Sequence, residues 1–233
     1  MQDTLLSAIL PHSGVMLVTL DAFALAVLYW LGFCYRAASW AKTTVKTGSV
    51  LLLVLAAWLA MGPTLLIVAL LLCALGDYLL SRDSEAQFMA GVGAFAAGHL
   101  AYVGLFLTHP MARPQVLNTA PHLAVIAGLA GFGLIMAVVL WRKAGEMRVP
   151  VMIYVPIILS MGVAVLALPS LGPLALALPA AFLFIASDFT LAMEMFVLRD
   201  DHPLRRFLPF LVWPTYWLAQ LGFACAFALI AIK

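Results

Sequence analysis

Hydrophobic residues run along this chain in long, almost unbroken blocks, separated by short clusters of Gly, Pro and charge. Blocks near 15–34, 64–80, 88–108, 121–141, 150–168, 172–198 and 207–231 reach the roughly 17–25 residues that cross a bilayer as a helix; a shorter block lies near 47–61. Gly62-Pro63 closes the short block and opens the next, which predicts a tight hairpin and eight helices in all; one kinked segment would leave seven. The blocks are apolar throughout and do not alternate, so they predict α-helices, not barrel strands. Connections are short, and no hydrophilic stretch is long enough for a soluble domain. The expected architecture is therefore all-α: a polytopic membrane protein forming one transmembrane domain over residues 1–233.

Composition points the same way, with 66% hydrophobic residues, 9% charged residues and a mean hydropathy of +1.12. Charge matters here through its distribution. Arg36, Lys42, Lys46, Arg82, Arg142, Lys143, Arg148, Arg199, Arg205 and Arg206 flank the odd-numbered connections, whereas Arg113 and Lys233 fall on the other side. The positive-inside rule then puts the odd connections in the cytoplasm and both termini outside, in a bacterial-type inner membrane. Basic residues at helix ends meet lipid headgroups, so nothing supports a nucleic-acid role. Met1-Gln2-Asp3 lacks the basic start of a cleaved signal peptide, and the first helix is expected to be retained. Cys34, Cys73 and Cys225 have no metal-type spacing and are expected to pack as small residues.

Asp77 and Asp188 each interrupt an apolar block, and a carboxylate in hydrocarbon is rarely placed there without a partner or a task. With the orientation above, Asp77 lies about three residues, or ~5 Å, before the cytoplasmic end of its helix, and Asp188 about eleven residues, or ~16 Å, from its own. His99, Tyr216 and Gln220 reach similar depth, and Lys46 and Tyr154 start their helices on that side. The polar groups thus gather in the cytoplasmic half, as a cavity open to the inner leaflet requires. Phe88, Gly91, Phe95, His99 and Tyr102 share one helical face, and Trp213, Tyr216 and Gln220 repeat the arrangement on the last helix. Apolar rings beside a carboxyl group favour its protonated form. Structural alternatives exist for each residue. Asp77 can cap a helix end or pair with Arg82, Asp188 can make an interhelical hydrogen bond with Ser187 or a tyrosine, His99 can simply pack, and Glu194 can snorkel or bind Arg199. Tyr29, Trp30, Tyr35, Trp40 and Trp141 resemble an interfacial belt.

The strings Gly76-Asp77-Tyr78-Leu79-Leu80, Phe88-x-x-Gly91-x-x-x-Phe95-x-x-x-His99-x-x-Tyr102, Ser187-Asp188-Phe189 and Tyr216-x-x-x-Gln220 together resemble the YhhN-type family, the multi-helix lysoplasmalogenases. Lys42 and Lys46 are similar to the basic start of that family's second helix, although its Lys-Pro pair is absent. The resemblance implies hydrolysis of the vinyl ether bond of a lysoplasmalogen to a fatty aldehyde and a glycerophospho-alcohol such as glycerophosphoethanolamine or glycerophosphocholine, with no cofactor. The residues suit that chemistry independently, and the expected catalytic residues are Asp77 and Asp188. One keeps its proton as general acid, with Asp188 favoured because it is deeper; the other, ionised, stabilises the cation and activates water. Lys46, His99, Tyr102, Tyr154, Ser187, Tyr216 and Gln220 form the expected substrate-binding set, with Arg205 and Arg206 as further phosphate contacts.

Three other classes remain open from sequence, the plainest being a structural or lipid-sensing membrane protein. A zinc hydrolase needs three protein ligands around an open position, yet His12, His109 and His122 fall on the outer side and His202 in a loop, leaving His99 near the acids. A proton- or ion-coupled transporter also uses intramembrane acids, and the faint likeness of Leu75-Gly76-Asp77-Tyr78 to Ala186-Ser187-Asp188-Phe189 fits a parallel repeat.

Overall fold

Eight α-helices follow one another in the computed structural model, which describes residues 2–82, 84–199 and 201–230, without the side chains of 2–12. Met1 and Lys233 lie outside the described residues, as do the side chains of Asp3 and His12. The helices are α1 (Gln2–Leu28), α2 (Trp40–Leu59), α3 (Thr64–Leu80), α4 (Glu85–Thr108), α5 (Ala120–Lys143), α6 (Arg148–Ala164), α7 (Ala177–Ala192) and α8 (Leu208–Ala224). Wider π turns extend α1, α7 and α8 over Tyr29–Phe33, Met193–Val197 and Cys225–Leu229. Among the described residues, seven segments are long and apolar enough to span a membrane, and α3, at 17 residues, is the shorter eighth. The chain is an all-α integral membrane protein.

The short segment is not the expected one. The block near 47–61 grows into a 20-residue α2, because Ser39 caps it by accepting the Lys42 N–H at 3.2 Å and the turn containing Lys42 and Thr43 is helical. Lys46 consequently sits inside the helix, not at its start. At the other end of α2 the predicted hairpin forms. The Gly62 and Met61 N–H groups bond back to the Ala57 and Trp58 carbonyls at 2.8 and 3.0 Å, and Met61 takes the left-handed conformation, φ 54°. Gly62 is small for another reason: a Cβ there would lie 2.8 Å from the Ala228 Cβ and 2.9 Å from the Ala57 carbonyl oxygen.

The most extensive helix contacts are α3 with α4 and α7 with α8. Small residues permit the first pair: a Cβ on Gly76 would stand 2.6 Å from the Phe95 ring, and one on Gly98 would stand 2.9 Å from the Cys73 sulfur. This close approach sets the α4 stripe against the Asp77 end of α3. Leu53, Leu66, Leu70, Phe106, Phe184 and Phe223 are fully buried where α2, α3, α4, α7 and α8 meet, while α5 joins the bundle mainly through α6. The odd connections share one end: Tyr35 Oη donates to the Arg206 carbonyl at 2.6 Å and Arg82 Nη2 to Thr43 Oγ1 at 2.7 Å. At the opposite end the Arg113 N–H donates to the Ala167 carbonyl at 2.8 Å.

Candidate active site

At the basic end, a cavity of about 440 Å³ opens among α2–α8, with Phe88, Val92 and Phe95 among the α4 residues of its lining. Its polar side carries Lys46, Asp77, Tyr154, Ser187, Asp188 and Tyr216. Its apolar side follows α5 from Leu140 down to Gly133 and Phe132, which is eight residues or ~12 Å of helix, facing Ile158 and Ile185. Such a cavity is amphiphilic along its length.

The two aspartates line this one cavity but have different partners. Asp77 is 1% exposed, and its Oδ1 lies 2.9 Å from Lys46 Nζ while its Oδ2 accepts the Tyr216 hydroxyl at 2.7 Å. It therefore ties α2, α3 and α8 together as a buried, ion-paired carboxylate. The Arg82 alternative does not form; that guanidinium lies 3.8 Å from the centre of the Trp40 ring and bonds Thr43. Lys46 also lies 5.9 Å from the Trp213 ring centre, a cation–π contact that helps hold it inside.

Asp188 meets no Lys or Arg among the described residues. Its Oδ2 accepts the Tyr154 hydroxyl at 3.1 Å and lies 3.2 Å from His99 Nε2, joining α4, α6 and α7. His99 is completely buried, its Nδ1 is 2.7 Å from the Phe95 carbonyl, and its ring packs on Phe184 at 4.4 Å. Phe184 also meets the Tyr216 ring at 5.4 Å, so one apolar wall backs both carboxyl groups. The sequence-level alternative of a tyrosine bonded to Asp188 holds through Tyr154, whereas Ser187 donates to the Val212 carbonyl at 3.0 Å.

Other expected contacts fall elsewhere. His99 meets the site through Asp188 and the Tyr154 ring, 5.7 Å away, and does not itself line the cavity. Tyr102 and Gln220 do not line it either. The Tyr102 hydroxyl donates to Gln220 Oε1 in the fully buried layer behind, where Tyr102 packs on Phe223 at 4.3 Å. Arg205 and Arg206 are absent from the lining, and Arg205 Nη1 donates to the Leu198 carbonyl at 3.2 Å. Conversely, Tyr29 is not an interfacial belt residue: it is 7% exposed, packs at a tilt against Trp213 at 4.3 Å and faces the cavity. Glu194, Lys42 and Cys34 line it as well. Glu194 sits in the π turn after α7, a local widening that periodicity does not reveal. Burial pushes the Cys34 thiol up, against the opposing pull of Lys42, and its sulfur donates to the Pro209 carbonyl at 3.1 Å, so it is a poor nucleophile. Among the described residues, no three of His, Cys, Asp and Glu converge as a metal site would require.

The model of the YhhN family matches residues 41–227, which include every residue of both carboxylate clusters. The chain is 31% identical over 166 residues to proteins named lysoplasmalogenase from Mycobacterium bovis (strain ATCC BAA-935 / AF2122/97) and Mycobacterium tuberculosis (strain CDC 1551 / Oshkosh). Each match covers 70% of this chain and 59% of the relative. No solved structure matches significantly.

Proposed function

The chain belongs to the YhhN family, and from that premise we propose that it is a lysoplasmalogenase, hydrolysing the vinyl ether bond of a single-chain glycerophospholipid. The observation that carries this reading is the pair of aspartates with unlike partners on one amphiphilic cavity. A vinyl ether resists base but yields to acid, because protonating its β-carbon produces an oxygen-stabilised cation. One proton donor and one fixed negative charge are therefore what the reaction needs.

Asp77, held between Lys46 and Tyr216, supplies the fixed charge, and Asp188 is the acid. In the first step the Asp188 carboxyl proton goes to the β-carbon, leaving an oxocarbenium ion and the Asp188 carboxylate. Water then adds to the cationic carbon and loses one proton to a carboxylate, giving a hemiacetal. The hemiacetal expels the glycerol oxygen, which takes the hydroxyl proton, and a fatty aldehyde and a glycerophospho-alcohol leave. The apolar side along α5 takes the alkenyl chain, and the headgroup remains near Lys42 and Lys46 at the basic end. With that end in the cytoplasm, substrate enters from the inner leaflet.

The test compares aldehyde release from a lysoplasmenyl lipid and its saturated ether analogue by the purified protein, its Asp77→Asn and its Asp188→Asn variants. The expected result is cleavage of the vinyl ether alone, with each variant losing at least ~100-fold in kcat. Reaction in heavy water places deuterium on the carbon next to the aldehyde carbonyl. Full activity in both variants removes the two-carboxylate reading, and unchanged lipid accumulating in proteoliposomes points to transport.

A further inference from the structure

Among the described residues, His99 is the one histidine in contact with a carboxyl group of the cavity, and its two nitrogens are in different situations. Nδ1 lies 2.7 Å from the Phe95 carbonyl oxygen. A carbonyl only accepts, so Nδ1 carries a hydrogen. Nε2 is then either a bare acceptor, in the neutral ring, or a second N–H, in the charged ring. It is fully buried, makes no aligned hydrogen bond, and stands 3.2 Å from Asp188 Oδ2.

The neutral ring beside an ionised Asp188 would set two lone pairs against each other at that distance with no water between them. The remaining neighbours offer no remedy. Tyr154 on α6 gives its hydroxyl hydrogen to the same Oδ2. Phe184 on α7 presents a ring face, and the Tyr102 hydroxyl on His99's own helix is committed to Gln220. The Lys46 cation lies on Asp77. A proton between Nε2 and Oδ2 resolves the conflict in either of its two positions.

The geometry points to His99 as the positioning residue that holds the acid's proton: His99 and Asp188 enter each turnover as a unit sharing one proton, with the tautomer set by the Phe95 carbonyl. This inference rests on the proposed reading of Asp188 as the acid, and it adds two features. Once Asp188 has delivered its proton to carbon, the bare Nε2 faces a fresh carboxylate, and that repulsion favours recapture of the proton released by the attacking water. The transferred proton is thereby returned within the site, and the cycle balances with no external donor. His99 does this without touching substrate, since it lies behind Asp188 and off the cavity wall.

The test is nitrogen-15 NMR of the full chain in detergent or lipid, with labelled histidine and carbonyl-labelled phenylalanine. The signals lost in His99→Gln pick His99 out of the five histidines, and a 15N–13C coupling across the Phe95 contact then reports a hydrogen on Nδ1. The expected pattern has a protonated Nδ1, and an Nε2 that is either protonated or accepting a strong hydrogen bond. Asp188→Asn should move the Nε2 signal and spare Nδ1. A neutral ring with its hydrogen on Nε2 and a bare Nδ1 overturns the inference, as does an Nε2 signal that Asp188→Asn leaves in place. Kinetically, His99→Gln puts a permanent N–H donor in reach of Asp188. It is expected to lower kcat ~100-fold with KM changed by less than about 3-fold; an unchanged kcat also overturns the inference. The expected NMR pattern in a protein that releases no aldehyde would remove the vinyl ether reading and leave the shared proton standing. Aldehyde release with the wrong tautomer would do the reverse.

Discussion

Lys46→Met separates the ion pair that marks Asp77. The substitution keeps most of the side-chain volume but takes away the ammonium 2.9 Å from Oδ1, leaving a carboxylate that is 1% exposed with only the Tyr216 hydroxyl. Removing one partner of a buried pair costs roughly 3–5 kcal/mol. Lys46 is 18% exposed through the cavity, so water softens the loss, and about 2–3 kcal/mol is expected. Asp77→Asn leaves a lysine that can turn toward that water and should cost about 1–2 kcal/mol. The double variant has no orphaned charge and should cost only about 1 kcal/mol, so the single losses are non-additive by about 2–4 kcal/mol. Thermal unfolding in detergent reads this as a Tm lowered by roughly 4–10 °C in Lys46→Met, with most of it regained in the double variant. Losses that add within about 0.5 kcal/mol would refute the claim that Asp77 is ionised against Lys46.

Three further outcomes follow from particular contacts. Met61→Gly relieves a left-handed residue that is 90% exposed, worth ~1–2 kcal/mol, less the ~0.4–1 kcal/mol of added freedom in the unfolded chain; a small rise in Tm is expected. Tyr102→Phe strands the buried Gln220 Oε1 and should cost ~1–3 kcal/mol in unfolding while changing KM for the lipid by less than about 3-fold, because neither residue lines the cavity. Burial holds His109 below the ordinary 6.5, and its Nδ1 accepts the Met111 N–H, so the unfolded chain binds more protons as pH falls through 6.5. Stability is therefore present above that value and declines below it, and His109→Gln should flatten that decline in a Tm series against pH.

The candidate site was legible in part. A carboxylate in an apolar block is visible without coordinates, and so is the α4 stripe; both chain segments reach the cavity or stand directly behind it. The partners were not visible. Arg82, close to Asp77 in sequence, is taken up by Trp40 and Thr43, while the more distant Lys46 forms the pair because the cap at Ser39 extends α2 and carries that lysine inside. Tyr102 and Gln220 share faces with His99 and Tyr216, yet each lies farther along its helix, below the floor of the cavity.

Helix type, the succession of segments and the limits of α3 can be read from the order of residues alone. In hydrocarbon each backbone group must find its partner within its own segment, which makes a spanning helix a local property of the chain. Which face meets which neighbour is not local. These helices are apolar on nearly every side, so the periodicity that separates core from surface in water is faint, and Tyr29 has the same signature whether it meets headgroups or Trp213. Packing resolved it: close contacts at Gly76 and Gly98 set α3 against α4, and the assembled bundle gave Asp77 a cation and Asp188 a histidine. Two chemically identical side chains became different groups because folding gave them different neighbours.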